Sequence, residues 1–188
     1  ARVDAQVGAI LRVLEETGQA QNTLVIFIGD HGPAFARGKL STYEGGLRIP
    51  FIVRWPGVSR AGAVSEALVS TVDLMPTCLD AATIATRIPA QAQGRSLAPI
   101  LASEAAEWRV FNFGEHNAHG AMTFFPRRAV RDARYKYIVN LSDGRPNPSA
   151  GPDGCEVWKL VQKGQPQDSP LHEILHRNNP GQLPRLIN

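Results

Sequence analysis

Cysteine, methionine and aromatic residues are scarce in this chain of 188 residues, with two Cys, two Met, and Phe, Trp and Tyr making up 7%. The cysteines, Cys78 and Cys155, form no C-x-x-C pair, so cysteine usage fixes no redox compartment. Cys78 sits on the expected apolar face of a helix and reads as a small core residue. No stretch approaches ~18 apolar residues, which excludes a membrane-spanning helix. A concentrated basic stripe interleaved with aromatics is also missing, which argues against a nucleic-acid partner. The nearest run is Arg127, Arg128, Arg131, Arg134 and Lys136. Strand alternation would spread those side chains over two faces, as on a solvated strand edge. There is no internal repeat, initiating Met or signal peptide. The chain opens Ala1-Arg2-Val3-Asp4 directly in a helical pattern and is expected to lie inside a longer protein, so the missing signal says nothing about location.

What is present is ordinary for a globular protein. Hydrophobic residues make up 43% and charged residues 20%, and the net charge is +3. That mild basicity is compatible with an anionic substrate without requiring one. The length suffices for one domain with a real core or for two small lobes.

Val3, Val7, Ile10, Leu11 and Leu14 mark one helical face, with Gly18 as the residue that ends the helix. Thr23 to Ile28 reads as a strand buried on both faces. Pro50 to Trp55 is a second strand candidate, and Val58 to Val69 a turn followed by a short one. Asp73 reads as the N-cap of a helix with Pro76 in its first turn, burying Leu74, Met75, Cys78, Leu79 and Ala82. After a connector over 86–99 come strand candidates at Val110–Phe113, Arg128–Arg131 and Tyr135–Val139. The last two are joined by the tight Asp132-Ala133-Arg134 link, a hairpin signal. Leu141 to Gly154 reads as a long loop, and Ser169 to Arg177 as a short helix.

The stretch from Thr23 to Pro50, TLVIFIGDHGPAFARGKLSTYEGGLRIP, carries the chemistry. The expected strand releases Asp30 and His31 side by side, and Lys39 follows nine residues after Asp30. Open α/β sheets bind ligands at the C-terminal ends of their strands. A carboxylate, an imidazole and an ammonium there suggest a metal ligand pair with an anion-holding Lys. Taken alone, Asp30-His31 reads slightly more readily as a strand-end turn in which Asp30 bonds backbone N–H groups, and Lys39 with the Tyr43-Glu44-Gly45-Gly46 turn shifts the balance.

The run VDAQVGAILRVLEETGQAQNTLVIFIGDHG, continued by GKLSTYEGGLRIPFIVRWPG, VSTVDLMPTCLDAA and GRSLAPIL, resembles the sulfatase family over most of residues 3 to 101. The resemblance implies an α/β class, the C-terminal part of an alkaline-phosphatase-like sulfatase domain over residues 1–101. A smaller α+β lobe with an antiparallel sheet is expected over 102–188. It implies that Asp30 ligates a divalent metal, typically Ca²⁺ with Mg²⁺ as the alternative, and that Lys39 binds the sulfate. His31 fills the adjacent slot, where it either ligates the metal or contacts the sulfate and nucleophile. Imidazole is a less natural partner for a hard cation than oxygen. Glu44 reads as structural, satisfying loop N–H groups.

The family's nucleophile segment, C-x-P-S-R or S-x-P-S-R with a Cys or Ser oxidised to formylglycine, does not occur here, nor do the family's first Asp pair and its upstream His and Lys. The formylglycine is therefore expected upstream, and these 188 residues alone are expected to be inactive. FNFGEHNAHGAMTFFPRRAVRDARYKYIVNL resembles the matching stretch of the sulfamidase branch and related bacterial sulfatases. That implies His119 and His116 face a sulfated sugar or glycosaminoglycan-type substrate, while the family resemblance implies a periplasmic, extracellular or lysosomal location. Without the resemblance, both are exposed loop histidines.

A rival motif, His172-Glu173-Ile174-Leu175-His176, fits H-E-x-x-H, two zinc ligands and a Glu base on one helix face, the pattern of a zinc hydrolase. No His, Asp, Glu or Cys follows His176 to serve as a downstream third ligand. A non-catalytic glycan-binding module is the third reading. Asn140-Leu141-Ser142 fits a glycosylation pattern that matters only in a eukaryotic secretory protein.

Overall fold

The structure, a computed structural model, describes residues 2–33, 37–103, 106–118 and 124–141. The chain forms two compact units that interleave along the sequence. One takes Ala1–Ile28 and Phe51–Val110, the other Gly29–Pro50 and Phe111–Asn188.

The first unit opens with α1 (Arg2–Glu16). Its end follows the Gly18 expectation. Gly18 has φ +70°, its N–H donates to the Glu15 carbonyl, and the Gln19 N–H donates to that of Leu14. Together these form a Schellman stop that only a residue at ease in the left-handed region closes without strain. Val7, Leu11 and Leu14 are half-buried, whereas Val3 and Ile10 of the expected apolar face are exposed.

β1 (Val25–Ile28) pairs antiparallel with β2 (Phe51–Arg54), Val25 opposite Arg54 and Ile28 opposite Phe51. Burial of β1 on both faces is not found: Val25, Ile26 and Ile28 are half-buried and Phe27 is exposed. Among the described residues the sheet has only these two strands, too few to seal two faces. Residues 58–69 form no strand.

α3 (Leu74–Ala81) differs from expectation in which side it buries. Pro76 and Thr77 are buried, while Met75 and Cys78 are exposed and Cys78 is a free thiol. The buried side is polar because it meets the segment before α4 (Ala98–Ala102) through hydrogen bonds. The Thr77 hydroxyl donates to the Asp73 carbonyl (2.6 Å) and accepts the Leu97 N–H (3.0 Å), and Ser96 donates to Asp80 (2.5 Å). Asp73 is wholly buried and caps no α3 N–H with its side chain. Its carboxylate accepts the Ser70 and Arg95 N–H groups and two guanidinium bonds from Arg109. Charge-assisted, bidentate pairing of this kind is what allows a carboxylate to be buried.

The second unit holds α2 (Glu44–Leu47) and a three-stranded antiparallel sheet of β3 (Asn112–His116), β4 (Arg127–Arg131) and β5 (Lys136–Asn140), with β4 central. The β4–β5 hairpin turns where the sequence signalled. The Asp132 carboxylate accepts the Arg134 and Tyr135 N–H groups at 2.7 and 2.5 Å, which holds it below the usual carboxylate range. The solvated-edge reading of the basic run fails at β4. Arg127 and Ala129 are buried and Arg131 is half-buried, because residues 127, 129 and 131 share one face of a central strand. On the other face Phe113, Val130 and Tyr137 stand in register, with both aromatics exposed.

Candidate active site

Asp30 and His31 lie at the turn after β1, with their loop in the second unit. The Gly29 N–H donates to the Pro50 carbonyl (3.2 Å), extending the strand pairing to the edge of the turn. Beyond it the backbone is packed against α2. The Gly32 N–H donates to the Gly46 carbonyl (3.0 Å), and a Cβ on Gly32 would fall 1.6 Å from the Gly45 oxygen. Only glycine allows that approach, which accounts for the G-D-H-G and G-G pairing along the sequence.

The carboxylate and the imidazole converge. Asp30 Oδ1 accepts the His31 backbone N–H (2.9 Å), and Asp30 Oδ2 lies 3.3 Å from His31 Nε2. His31 Nδ1 lies 2.8 Å from the Gly32 carbonyl oxygen, which can only accept, so Nδ1 carries the proton. In the neutral ring Nε2 then presents a lone pair beside Asp30 Oδ2. Two lone-pair donors side by side repel unless a proton or a cation lies between them. Two ligands at a right angle, each about 2.3 Å from one cation, stand roughly 3.3 Å apart, so the spacing fits adjacent positions on a divalent ion. The Asp30 side chain is 86% exposed and thus open to further ligands. Among the described residues no group of three or more His, Cys, Asp or Glu assembles.

Lys39 returns to the same turn. Its N–H donates to the Pro33 carbonyl (2.9 Å), two residues past His31. The non-glycine residues Arg37 and Leu40 bracket it at φ +62° and +65°, and the Ser41 hydroxyl lies 2.8 Å from the Arg37 carbonyl and 2.7 Å from that of Gly38. Left-handed conformations at non-glycine residues persist where the surroundings over-determine them, often at functional sites.

His116 ends β3 opposite Arg127 and is half-buried, so it is not an exposed loop histidine. His119, Cys155, Ser142 and the His172, Glu173 and His176 motif lie outside the described residues. Among the described residues Glu44 bonds side chains rather than loop N–H groups, meeting Arg131 Nη1 at 2.8 Å and Lys136 Nζ at 2.5 Å. Sequence reasoning missed those partners, and the one available signal was the short hairpin link that sets Arg131 opposite Lys136.

Residues 1–84 match the Sulfatase family model. An ulvan-active sulfatase of Formosa agariphila is 32% identical, over 74% of this chain and 27% of its own length. Human N-sulphoglucosamine sulphohydrolase is 36% identical, over 78% of this chain and 30% of its own. The solved structure of a 2-O GAG sulfatase superposes with a TM-score of 0.65 at 27% identity, covering 94% of this chain and 38% of that one. The chain thus spans about a third of the length of the relatives it matches. These matches show that the chain belongs to the sulfatase family, of alkaline-phosphatase-like fold.

Proposed function

We propose that the chain is the C-terminal portion of an enzyme that hydrolyses sulfate esters or sulfamates of a sulfated sugar. The observation that carries this reading is the convergence of Asp30 Oδ2 and His31 Nε2 at 3.3 Å, with Lys39 returned to the same turn. Asp30 and His31 would hold a divalent cation, with Ca²⁺ favoured by the carboxylate and by the room for further oxygen ligands. The cation would supply electrostatic stabilisation of the sulfuryl oxygens. Lys39 would contribute a positive charge from a loop whose backbone is held at Pro33 and Ser41, which would limit the reorganisation needed as charge builds on those oxygens. The Gly32 carbonyl keeps the His31 proton on Nδ1 and leaves Nε2 for the site. His116 stands on the sheet face that also carries the Glu44 partners, and would contact the sugar together with His119. A formylglycine nucleophile would come from residues outside these 188.

The relatives support the substrate class by what they are called: one is ulvan-active, one is an N-sulphoglucosamine sulphohydrolase and one a 2-O GAG sulfatase. The test is Asp30→Ala in the full-length protein, assayed on sulfated monosaccharides of the O- and N-linked classes. Loss of one metal carboxylate and its charge is expected to lower kcat/KM at least about 100-fold, the scale of removing one electrostatic stabiliser. Turnover within a few-fold of wild type would refute the assignment.

A further inference from the structure

We propose that Glu44 is a positioning residue: with Arg131 and Lys136 it latches the loop bearing Asp30, His31 and Lys39 onto the three-stranded sheet and sets the geometry of that loop. The inference rests on the site reading above.

Both carboxylate oxygens of Glu44 are engaged, Oε2 by Arg131 Nη1 at 2.8 Å and Oε1 by Lys136 Nζ at 2.5 Å. Arg131 and Lys136 are directly opposite each other across β4 and β5. Like charges at such a cross-strand pair repel, so the sheet needs an anion there, and the loop brings it. Lys136 Nζ also donates to the Thr42 carbonyl (3.0 Å), which grips the loop at two nearby points. The three side chains are partly shielded, Lys136 most, so the pairing is less screened than a surface ion pair.

A short path joins the latch to the site. Glu44 opens α2, and two residues on, the Gly46 carbonyl holds the Gly32 N–H. The Gly32 carbonyl in turn holds His31 Nδ1, and His31 Nε2 faces Asp30. Ahead of Glu44, Ser41 bonds the carbonyls of the strained turn around Lys39. The left-handed Arg37 and Leu40 need an outside constraint, and the ion-paired carboxylate supplies one from strands 87 and 92 residues away in sequence.

The test compares wild type with Glu44→Gln in the full chain by two measurements. Amide hydrogen exchange needs no ligand. Glu44→Gln is expected to speed exchange at the Gly32 and Lys39 amides at least tenfold, while the β3–β5 ladder amides change less than twofold. Titration with Ca²⁺ alone is expected to give about tenfold weaker binding, with Glu44→Asp restoring most of it. Unchanged exchange at Gly32 and Lys39 overturns the latch. Faster exchange with unchanged calcium affinity overturns its link to the site. Absence of calcium binding in wild type overturns the site reading instead, and the exchange comparison still judges the latch. Should Glu44→Gln not fold, Lys136→Met, which leaves Glu44 paired with Arg131, carries both comparisons.

Discussion

Arg127 shows most clearly how a single side chain can work against its fold. It is 3% exposed, its Nε and Nη2 donate to nothing among the described residues, and its guanidinium lies 4.8 Å from the Phe125 ring centre. Burial lowers its proton affinity, and the neighbouring Tyr43 offsets that only in part. With no carboxylate paired to it among the described residues, the buried cation keeps its desolvation cost. The sign follows from linkage. The unfolded chain binds the proton more tightly, so the cost is fully present at neutral pH and eases only at strongly alkaline pH. Arg127→Met should therefore raise stability at pH 7 by about 1–3 kcal/mol, read from the urea midpoint at unchanged m-value. A fall in the midpoint would mean that the cation is paired in solution. At this scale the motif residues were legible, because Asp30, His31 and Lys39 follow a strand signal at fixed spacing. Arg127 was not. Alternation says which residues share a face, whereas only the position of β4 between two neighbours says that the face is covered.

At the scale of elements, local signals held and tertiary choices did not. The helix stop at Gly18 and the hairpin at Asp132–Arg134 are set by neighbours in sequence, and both stand where the pattern put them. α3 was placed correctly, but its buried side was misjudged, since apolar periodicity cannot foresee that Thr77 and Asp80 would be taken up by Leu97 and Ser96. The hairpin gives a pH prediction. The Tyr135 N–H first and the Arg134 N–H second hold the Asp132 carboxylate low. A carboxylate with a depressed folded-state value contributes stability above the unfolded value and loses it as pH falls through the folded one. The β4–β5 turn should thus fray in acid, below the ordinary carboxylate range, seen as faster exchange at the Arg134 and Tyr135 amides. Asp132→Asn should flatten that pH dependence while keeping much of the turn at pH 7. Equal acid sensitivity in the variant would place the titrating group elsewhere.

For the whole molecule, the main helices and strands of the described residues were legible, except that the strand expected within 58–69 is absent and α2 and α4 were not foreseen, and their covering was not. β1 reads as a doubly buried strand because its residues are apolar, yet coverage depends on what packs against it, and Phe27 and Ile52 are exposed on the β1–β2 pair. The candidate site, by contrast, draws Asp30, His31 and Lys39 from one continuous loop within one compact unit, which is why a linear motif could reveal it. That locality separates binding from folding. Asp30 is 86% exposed, and among the described residues its side chain bonds His31 alone, so removing it should leave calcium-free stability within about 0.5 kcal/mol. Calcium that binds only the folded chain, at about 100 times its dissociation constant, adds about 2.7 kcal/mol. For a chain of this length that corresponds to a rise in Tm of roughly 5–10 °C. Wild type should show that rise in calorimetry, whereas Asp30→Ala should melt at the calcium-free wild-type temperature with or without the ion. An equal calcium shift in the variant would move the cation away from Asp30. A large calcium-free destabilisation would mean that the carboxylate holds the fold rather than the ion.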